Sequence, residues 1–387
     1  MMSNRFARHL ATVSSIHGAV KRRTPCFAYD YFVGGVNEEL CKSQNRTALE
    51  NVQLIPQYRN GSINSSTKTT IFEKEYSIPF GIGPVGGGDF IWPGAAEALA
   101  RAAAKNGFLF IPGTMTSVCI ETVRKISDGH DWFQLYAGVH KDFTKRTLSQ
   151  LKELGVRVLV ITIDMAAPTY RWREERHNLS YPPNITPRSI TDALLYPIWT
   201  ANQIWKGFPK FPNVERFMPT GFPRNKTEDF IDEYMMGVPS LDGFQFIRNH
   251  WDGPIVIKGI LSENDLSEYR NAGADGAIIS NHGGRQLDAA PATVEVLPKL
   301  REAVGDDFVL LVDGQCWTGL DVARYIASGA NFVIAGRAPY LSVAAVGTNG
   351  AEFFAQRMCE DFKNTLIQLG CSAPSELPYF KCNLANS

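Results

Sequence analysis

The seven cysteines form no C-x-x-C pair and show no metal-ligand spacing. Neither a disulfide framework nor a metal site is expected, and the chain reads as a reduced, intracellular protein. No apolar run approaches the roughly 20 residues a membrane span needs. Neither charge is in excess, with 39 basic and 39 acidic residues. No global field calls for nucleic acid or a strongly acidic partner. The first 29 residues lack any acid but carry Arg5, Arg8, Lys21, Arg22 and Arg23. This bias suits a basic first helix ending before Pro25, and it leaves a mitochondrial leader open. N-x-S/T triplets occur at Asn45, Asn64, Asn178, Asn184 and Asn225; without a secretory leader they read as chance. The terminal Leu-Ala-Asn-Ser is not a peroxisomal address. The expected location is the cytoplasm.

What is present is an ordinary apolar content of 44% in 387 residues, enough for a large core. Short β-rich runs recur along the chain, at Pro79–Pro84, Phe108–Ile111, Trp132–Tyr136 and Val156–Ile163. After a long irregular stretch come Pro254–Lys258, Gly276–Ser280, Phe308–Asp313 and Phe332–Gly336. Helical patterns follow these runs, near 94–105, 117–126, 142–153, 262–272, 292–303, 319–328 and 340–346. Near-continuous apolar runs are what parallel strands covered on both faces should show. Eight such units predict a closed (β/α)8 barrel; an open doubly wound sheet is the rival.

Polar and ionisable groups gather where these strands end. They include Gly83-Pro84, Pro112-Gly113-Thr114, Gln134, Tyr136, Thr162, Asp164, Lys258-Gly259, Ser280-Asn281-His282, Asp313-Gly314 and Gly336-Arg337. A barrel builds its active site on this face. His282, in Ser280-Asn-His-Gly-Gly-Arg-Gln-Leu-Asp288, is therefore expected to face a shared cleft. The other six histidines have no such setting. Gly314 and Gly336-Arg337, after the last two strands, suit a phosphate cradle. Lys258, Gln134 and Thr162 suit the polar edge of a flat heterocycle.

The blocks "SNHGGRQLD", "FQLY", "VIKG" and "TIDM…YRWREERHN" resemble the FMN-dependent α-hydroxy-acid oxidases and dehydrogenases, from Pro25 to about Cys371. "IGPVGGGDFIWPGAAEALARAA" and "AGRAPYLSVAAVG" lean toward the mandelate dehydrogenase branch. The resemblance implies a TIM barrel that binds FMN and oxidises an L-2-hydroxy acid, mandelate-like or lactate-like, to the 2-oxo acid. Quinone or O₂ would take the electrons, with quinone preferred, and the assembly would be a homotetramer. By matching position, His282 is the active-site base and Asp164 orients it. Arg171 and Arg285 hold the substrate carboxylate, and Tyr31 and Tyr136 bond to the substrate. Lys258 lies beside flavin N1 and O2. Gln134, Thr162 and Ser280 touch the flavin edge, and Gly336-Arg337 the phosphate. Pro84, Val85, Gly86, Gly113, Asp313, Gly314 and Gln315 complete the cofactor set. Arg171 and Arg173 have an alternative, pairing with Glu174 and Glu175 on a solvated face. A catalytically weak, FMN-poor binding protein of the same fold is the alternative function.

Four positions in three turns depart from the family pattern. Gln315 replaces a glycine and Trp317 an arginine in Asp313-Gly-Gln-Cys-Trp317. Val85 replaces a threonine, and Gly113 a serine. Losing one charge-assisted bond to the phosphate is expected to weaken FMN binding roughly ten- to a hundredfold. Met115 stands where some relatives carry a tryptophan over the pocket, leaving room for an aromatic or medium-length substrate. The expected organisation is a helical cap and lead-in over 1–75, the barrel over 76–371 and a tail over 372–387. An insertion over 179–237 carries Trp199, Trp205, Lys206 and Lys210. It reads as a peripheral membrane anchor or as a lid.

Overall fold

A computed structural model describes residues 10–61, 64–127, 132–137, 140–179, 186–207, 210–219, 221–223 and 226–382. Arg5, Arg8, Asn184 and Asn225 lie outside these residues. Three helices lead in: α1 (Val13–Lys21), α2 (Cys26–Val33) and α3 (Leu40–Glu50). Helix α1 starts at Thr12, whose hydroxyl accepts the Ser15 N–H at 3.0 Å, and it buries Ile16, Ala19 and Val20. A side-chain cap of this kind satisfies a first-turn amide that has no partner within the helix.

Strands β1 (Thr69–Ile71) and β2 (Lys74–Tyr76) form an antiparallel hairpin. Phe72 and Glu73 turn it with φ of 44° and 62°. Eight parallel strands follow: β3 (Phe80–Ile82), β4 (Leu109–Phe110), β5 (Trp132–Leu135), β6 (Val158–Thr162), β7 (Ile255–Ile260), β8 (Gly276–Ile279), β9 (Val309–Val312) and β10 (Phe332–Ala335). Their order is β4-β3-β10-β9-β8-β7-β6-β5. A parallel bridge between Gly113 and Gln134 joins β4 to β5 and closes the ring. The Gln134 amide donates to Pro112 O and the Thr114 amide to Gln134 O, each at 2.9 Å. The open-sheet alternative is thereby excluded.

The apolar runs divide by alternation. Val158, Val160, Val256, Ile278, Leu311, Phe332 and Ile334 point into the barrel, with Ile71 and Tyr76 of the hairpin packed among them. Leu159, Ile161, Leu310, Val312 and Val333 face the surrounding helices. Burial on both faces is why the sequence shows runs rather than alternation.

The stretch between β6 and β7, irregular in the sequence reading, is helical over much of its described length. Helices span Trp172–Arg176, Pro187–Leu194, Pro197–Lys206, Pro212–Phe217, Thr227–Tyr234 and Leu241–Arg248. Three begin with a proline in the first turn, where the missing N–H costs nothing and φ is already helical. Asn213 ties this region to the barrel top from a fully buried position. Its amide donates to Gly113 O at 3.1 Å and Val118 O at 3.2 Å, and its carbonyl accepts the Ile120 amide at 2.9 Å.

Candidate active site

The β8–helix turn carries three consecutive left-handed residues, His282 (φ 56°), Gly283 (65°) and Gly284 (74°). Histidine in this region stores strain that surrounding contacts must hold. The His282 amide donates to Ser280 Oγ at 3.0 Å, and Nδ1 meets Asp164 Oδ1 at 3.0 Å. A Cβ on Gly284 would fall 2.6 Å from the Lys42 backbone nitrogen. The glycines thus let the turn press on α3 while the imidazole faces the cavity. With Nδ1 on Asp164, Nε2 is left to accept a proton from a ligand. Burial alone would raise the Asp164 carboxyl, but His282 and Lys258 outweigh it and hold it below its ordinary value.

Two guanidinium groups share the opposite wall. Arg285 Nη1 donates to Tyr31 O at 3.1 Å and Gly34 O at 3.0 Å, and Nη2 meets Glu174 at 2.6 Å. Arg171 Nη2 reaches Gln286 Oε1 at 3.4 Å, and Nη1 lies 3.7 Å from Glu174. Arg171 is lowered first by burial and next by Arg285, a like charge beside it. Glu174 thus braces both arginines, an arrangement close to the solvated-pair alternative for Arg171 but buried. Arg173 departs from that alternative: it bonds Glu39 at 2.5 Å and Asp30 at 3.2 Å. Tyr31 donates to Gly86 O at 3.1 Å. Tyr136 is pushed up to about 12, by burial and then by Asp164, so it stays a neutral donor.

Lys258 crosses the floor with 5% exposure. Its ammonium donates to Ser280 Oγ at 2.8 Å and lies 3.2 Å from Asp313 Oδ2, which also accepts from Ser280 Oγ at 2.8 Å. Burial would lower Lys258, but Asp313, Asp164 and Tyr136 outweigh it and hold it above its ordinary value. Asp313 Oδ1 and Asp164 Oδ2 are buried and have no hydrogen-bond partner among the described residues. Beyond them, Gly336 caps the helix Arg337–Val346. Arg337 donates to Phe32 O, Gly283 O and Gly34 O at 3.3, 2.8 and 2.7 Å. It is lowered to about 9, first by burial and then by Arg285.

The departures have structural readings. Gln315 keeps φ at 58°, a conformation that favours glycine. Trp317 is buried, and its indole N–H is spent on Gln315 Oε1 at 2.9 Å. It cannot serve a phosphate from there. A Cβ on Gly113 would lie 2.4 Å from Gln134 Oε1, so a larger residue there would require the Gln134 carboxamide to move.

One cavity of ≈ 380 Å³ joins these groups. Of the sequence-predicted residues, Tyr31, Pro84, Val85, Gly86, Tyr136, Arg171, Lys258, His282, Arg285, Asp313, Gly314, Gln315, Gly336 and Arg337 line it. Gly113, Gln134, Thr162, Ser280 and Asp164 stand behind this wall. Gln134 Nε2 donates to Thr162 Oγ1 at 2.9 Å, both buried. Sequence reasoning missed Met165, Phe211, Glu228, Ile231, Asp232 and Met236, which also line the cavity. It named Glu174 only as a partner of Arg171 on a solvated face and did not foresee its bond to Arg285; no local pattern marks the other six. It also took the other histidines as unremarkable, yet His177 Nε2 pairs with Asp30 at 2.8 Å, away from the cavity wall.

The donor set fits a flavin nucleotide. A buried ammonium and two unpartnered carboxylate oxygens meet a polar edge, and a guanidinium at a helix N-terminus suits a phosphate. Barrel and site together define a nucleotide-cofactor oxidoreductase. The chain belongs to the FMN-dependent dehydrogenase family, which matches residues 20–380, and its cofactor is FMN. It is 34% identical to L-lactate dehydrogenase of Pseudomonas syringae pv. syringae, over 90% of this chain and 93% of that one. It is 30% identical to (S)-mandelate dehydrogenase of Pseudomonas putida, over 94% and 92%. Among solved structures, the monotopic membrane protein (S)-mandelate dehydrogenase superposes with a TM-score of 0.88 at 29% identity, covering 96% of this chain and 98% of that one. A mandelate oxidase with benzoyl-formic acid superposes at 0.79 with 26% identity, over 94% and 96%.

Proposed function

We propose that this protein oxidises an L-2-hydroxy acid to the 2-oxo acid and passes the electrons to a quinone in preference to O₂. The observation that carries the reading is the single cavity in which the His282–Asp164 pair faces Arg171 and Arg285. Bound FMN supplies the two-electron acceptor. Arg171 and Arg285 grip the substrate carboxylate, whose planar geometry a guanidinium matches in bidentate fashion. Their grip places the 2-carbon and its hydroxyl beside His282. Nε2 of His282 accepts a proton, and Asp164 stabilises the resulting imidazolium through Nδ1. Tyr31 and Tyr136 orient the hydroxyl as neutral donors. Lys258 holds a positive charge against the cofactor's polar edge, where charge accumulates on reduction. Met115, Met165, Phe211, Ile231 and Met236 supply an apolar surface for the substrate's side chain.

The test is anaerobic mixing of holoprotein with lactate, mandelate and longer L-2-hydroxy acids. At least one should bleach the flavin, and quinone should reoxidise it faster than air. A flavin that none of them bleaches would favour the catalytically weak binding protein. Faster reoxidation by air would overturn the choice of acceptor.

We further propose a peripheral membrane contact through the insertion. Leu194, Leu195, Ile198, Ile204 and Trp205 are exposed on two adjoining helices, Trp205 at 89%, with Arg188, Lys206 and Lys210 nearby in sequence. An apolar patch bordered by basic residues suits an anionic bilayer surface. Trp199 plays no part in it. At 3% exposure it packs edge-on against Phe27 of α2 at 5.6 Å. No helix among the described residues is long and apolar enough to cross a membrane. The triple variant Ile198→Ser, Ile204→Ser, Trp205→Ser should no longer sediment with anionic liposomes while oxidising substrate at the wild-type rate. Wild-type protein that stays in the supernatant would mark the insertion as a lid.

A further inference from the structure

The loops after β9 and β10 form the barrel's phosphate end. Of the residues these two loops place on the cavity wall, Arg337 alone is cationic, and Trp317 offers neither charge nor a free N–H. A phosphate monoester carries nearly two negative charges at neutral pH. One positive charge therefore remains unaccounted for.

Lys42, on α3, stands next to Arg337 behind a thin layer of backbone. Its main chain presses on Gly284, while Arg337 Nη1 presses on Gly283. The heads of the two side chains converge on consecutive carbonyls. Lys42 Nζ donates to Val33 O at 3.1 Å, and Arg337 Nη2 to Gly34 O at 2.7 Å. Lys42 also meets Glu39, but Arg173 already engages that carboxylate at both oxygens, at 2.5 and 3.1 Å. Asp30 in turn is shared by Arg173 and His177. Lys42 and Arg173 thus share Glu39, Arg173 also meets Asp30, and Arg337 bonds backbone carbonyls instead. An ammonium has three N–H donors and a guanidinium five. Lys42 spends two and Arg337 three on the described residues, which leaves donors on both.

We infer that Lys42, from behind the wall beside Arg337, supplies the second positive charge for the FMN phosphate that Trp317 does not. The inference rests on FMN as the cofactor, and it replaces the expectation of weak binding drawn from Trp317 alone. The local field agrees with it. His17, whose ring lies 5.3 Å from Trp317 and whose Nδ1 meets the Tyr29 hydroxyl at 2.8 Å, is lowered to about 4. Burial is the first cause, followed by Lys42, Lys21 and Arg337. Positive potential collects at this corner before any anion arrives.

The test is titration of apo-protein with FMN and, in parallel, with riboflavin, which lacks the phosphate, followed by flavin fluorescence. Lys42→Met should weaken FMN roughly ten- to a hundredfold, the range for one charge-assisted contact. Riboflavin affinity should not change. Adding Trp317→Arg to Lys42→Met should restore FMN binding, because a guanidinium then enters the same pocket. In the otherwise wild-type chain, Trp317→Arg should gain less than about threefold, since the charge is already matched. Equal FMN affinity in Lys42→Met and wild type overturns the inference, as does a parallel loss of riboflavin. If Lys42→Met does not fold, Trp317→Arg alone decides: a gain of tenfold or more overturns it. Wild-type protein that binds riboflavin but shows no preference for FMN would instead refute the phosphate pocket itself.

Discussion

His282→Gln retains its FMN and loses reduction by substrate. Glutamine cannot take a proton near neutral pH, and a positioned general base typically contributes about 10²–10⁴-fold in rate. The substitution leaves Asp164 less well matched, because His282 is the largest influence holding that carboxyl down. Its Oδ2 already lacks a partner. The flavin end of the cavity rests instead on Lys258, Ser280 and Asp313, which His282 meets only through its main-chain amide. Cofactor retention and loss of chemistry therefore separate in this variant. Anaerobic stopped-flow bleaching measures it, with released FMN counted after denaturation. Bleaching within tenfold of wild type would assign proton transfer to another group.

Lys258→Met should lose both cofactor and stability. Lys258 and Asp313 form a buried pair, 3.2 Å apart at 7% and 15% side-chain exposure. Removing one member of such a pair leaves an uncompensated charge and costs about 3–5 kcal/mol. Asp313 would keep only the Ser280 hydroxyl on Oδ2 and nothing on Oδ1. Lys258 is held above its ordinary value, so the pair's contribution is complete below the free-lysine value. It is lost only as pH rises through the higher folded value. The variant should therefore melt lower than wild type across the neutral range, and it should purify without yellow colour. A colourless variant with an unchanged melting temperature would confine Lys258 to cofactor binding. A yellow variant would remove it from the cofactor site.

Much of this molecule is legible in one dimension. Each strand is a short apolar run, because its two faces meet the barrel interior and the helix layer. Each run ends in a polar or glycine-containing turn, because those turns share one rim. Alternating strand and helix signals then imply a parallel sheet, since parallel neighbours need crossovers, and eight units suit a barrel whose closure the Gly113–Gln134 bridge shows. His282, Arg285 and Lys258 could be placed because they sit at strand ends, where chain position and spatial position coincide. The helices of the 179–237 stretch were not read from the sequence; three of them start at prolines, which suit a first helical turn.

What the sequence by itself determined is a set of groups at strand ends, His282, Lys258, Asp313 and Arg337, with the glycines that make room for them. Their order follows from backbone periodicity and turn chemistry, which act over a few residues, whereas Arg171 and Arg285 were assigned through the family resemblance. Only the tertiary structure decided which groups stand behind that rim. Glu174 braces Arg285 across 111 residues, and Asn213 reaches Gly113 across 100. Lys42 approaches Gly284 from a helix early in the chain. Such contacts depend on where separate elements cross. Close packing sets those crossings to within fractions of an ångström, with no periodic trace in the residues themselves.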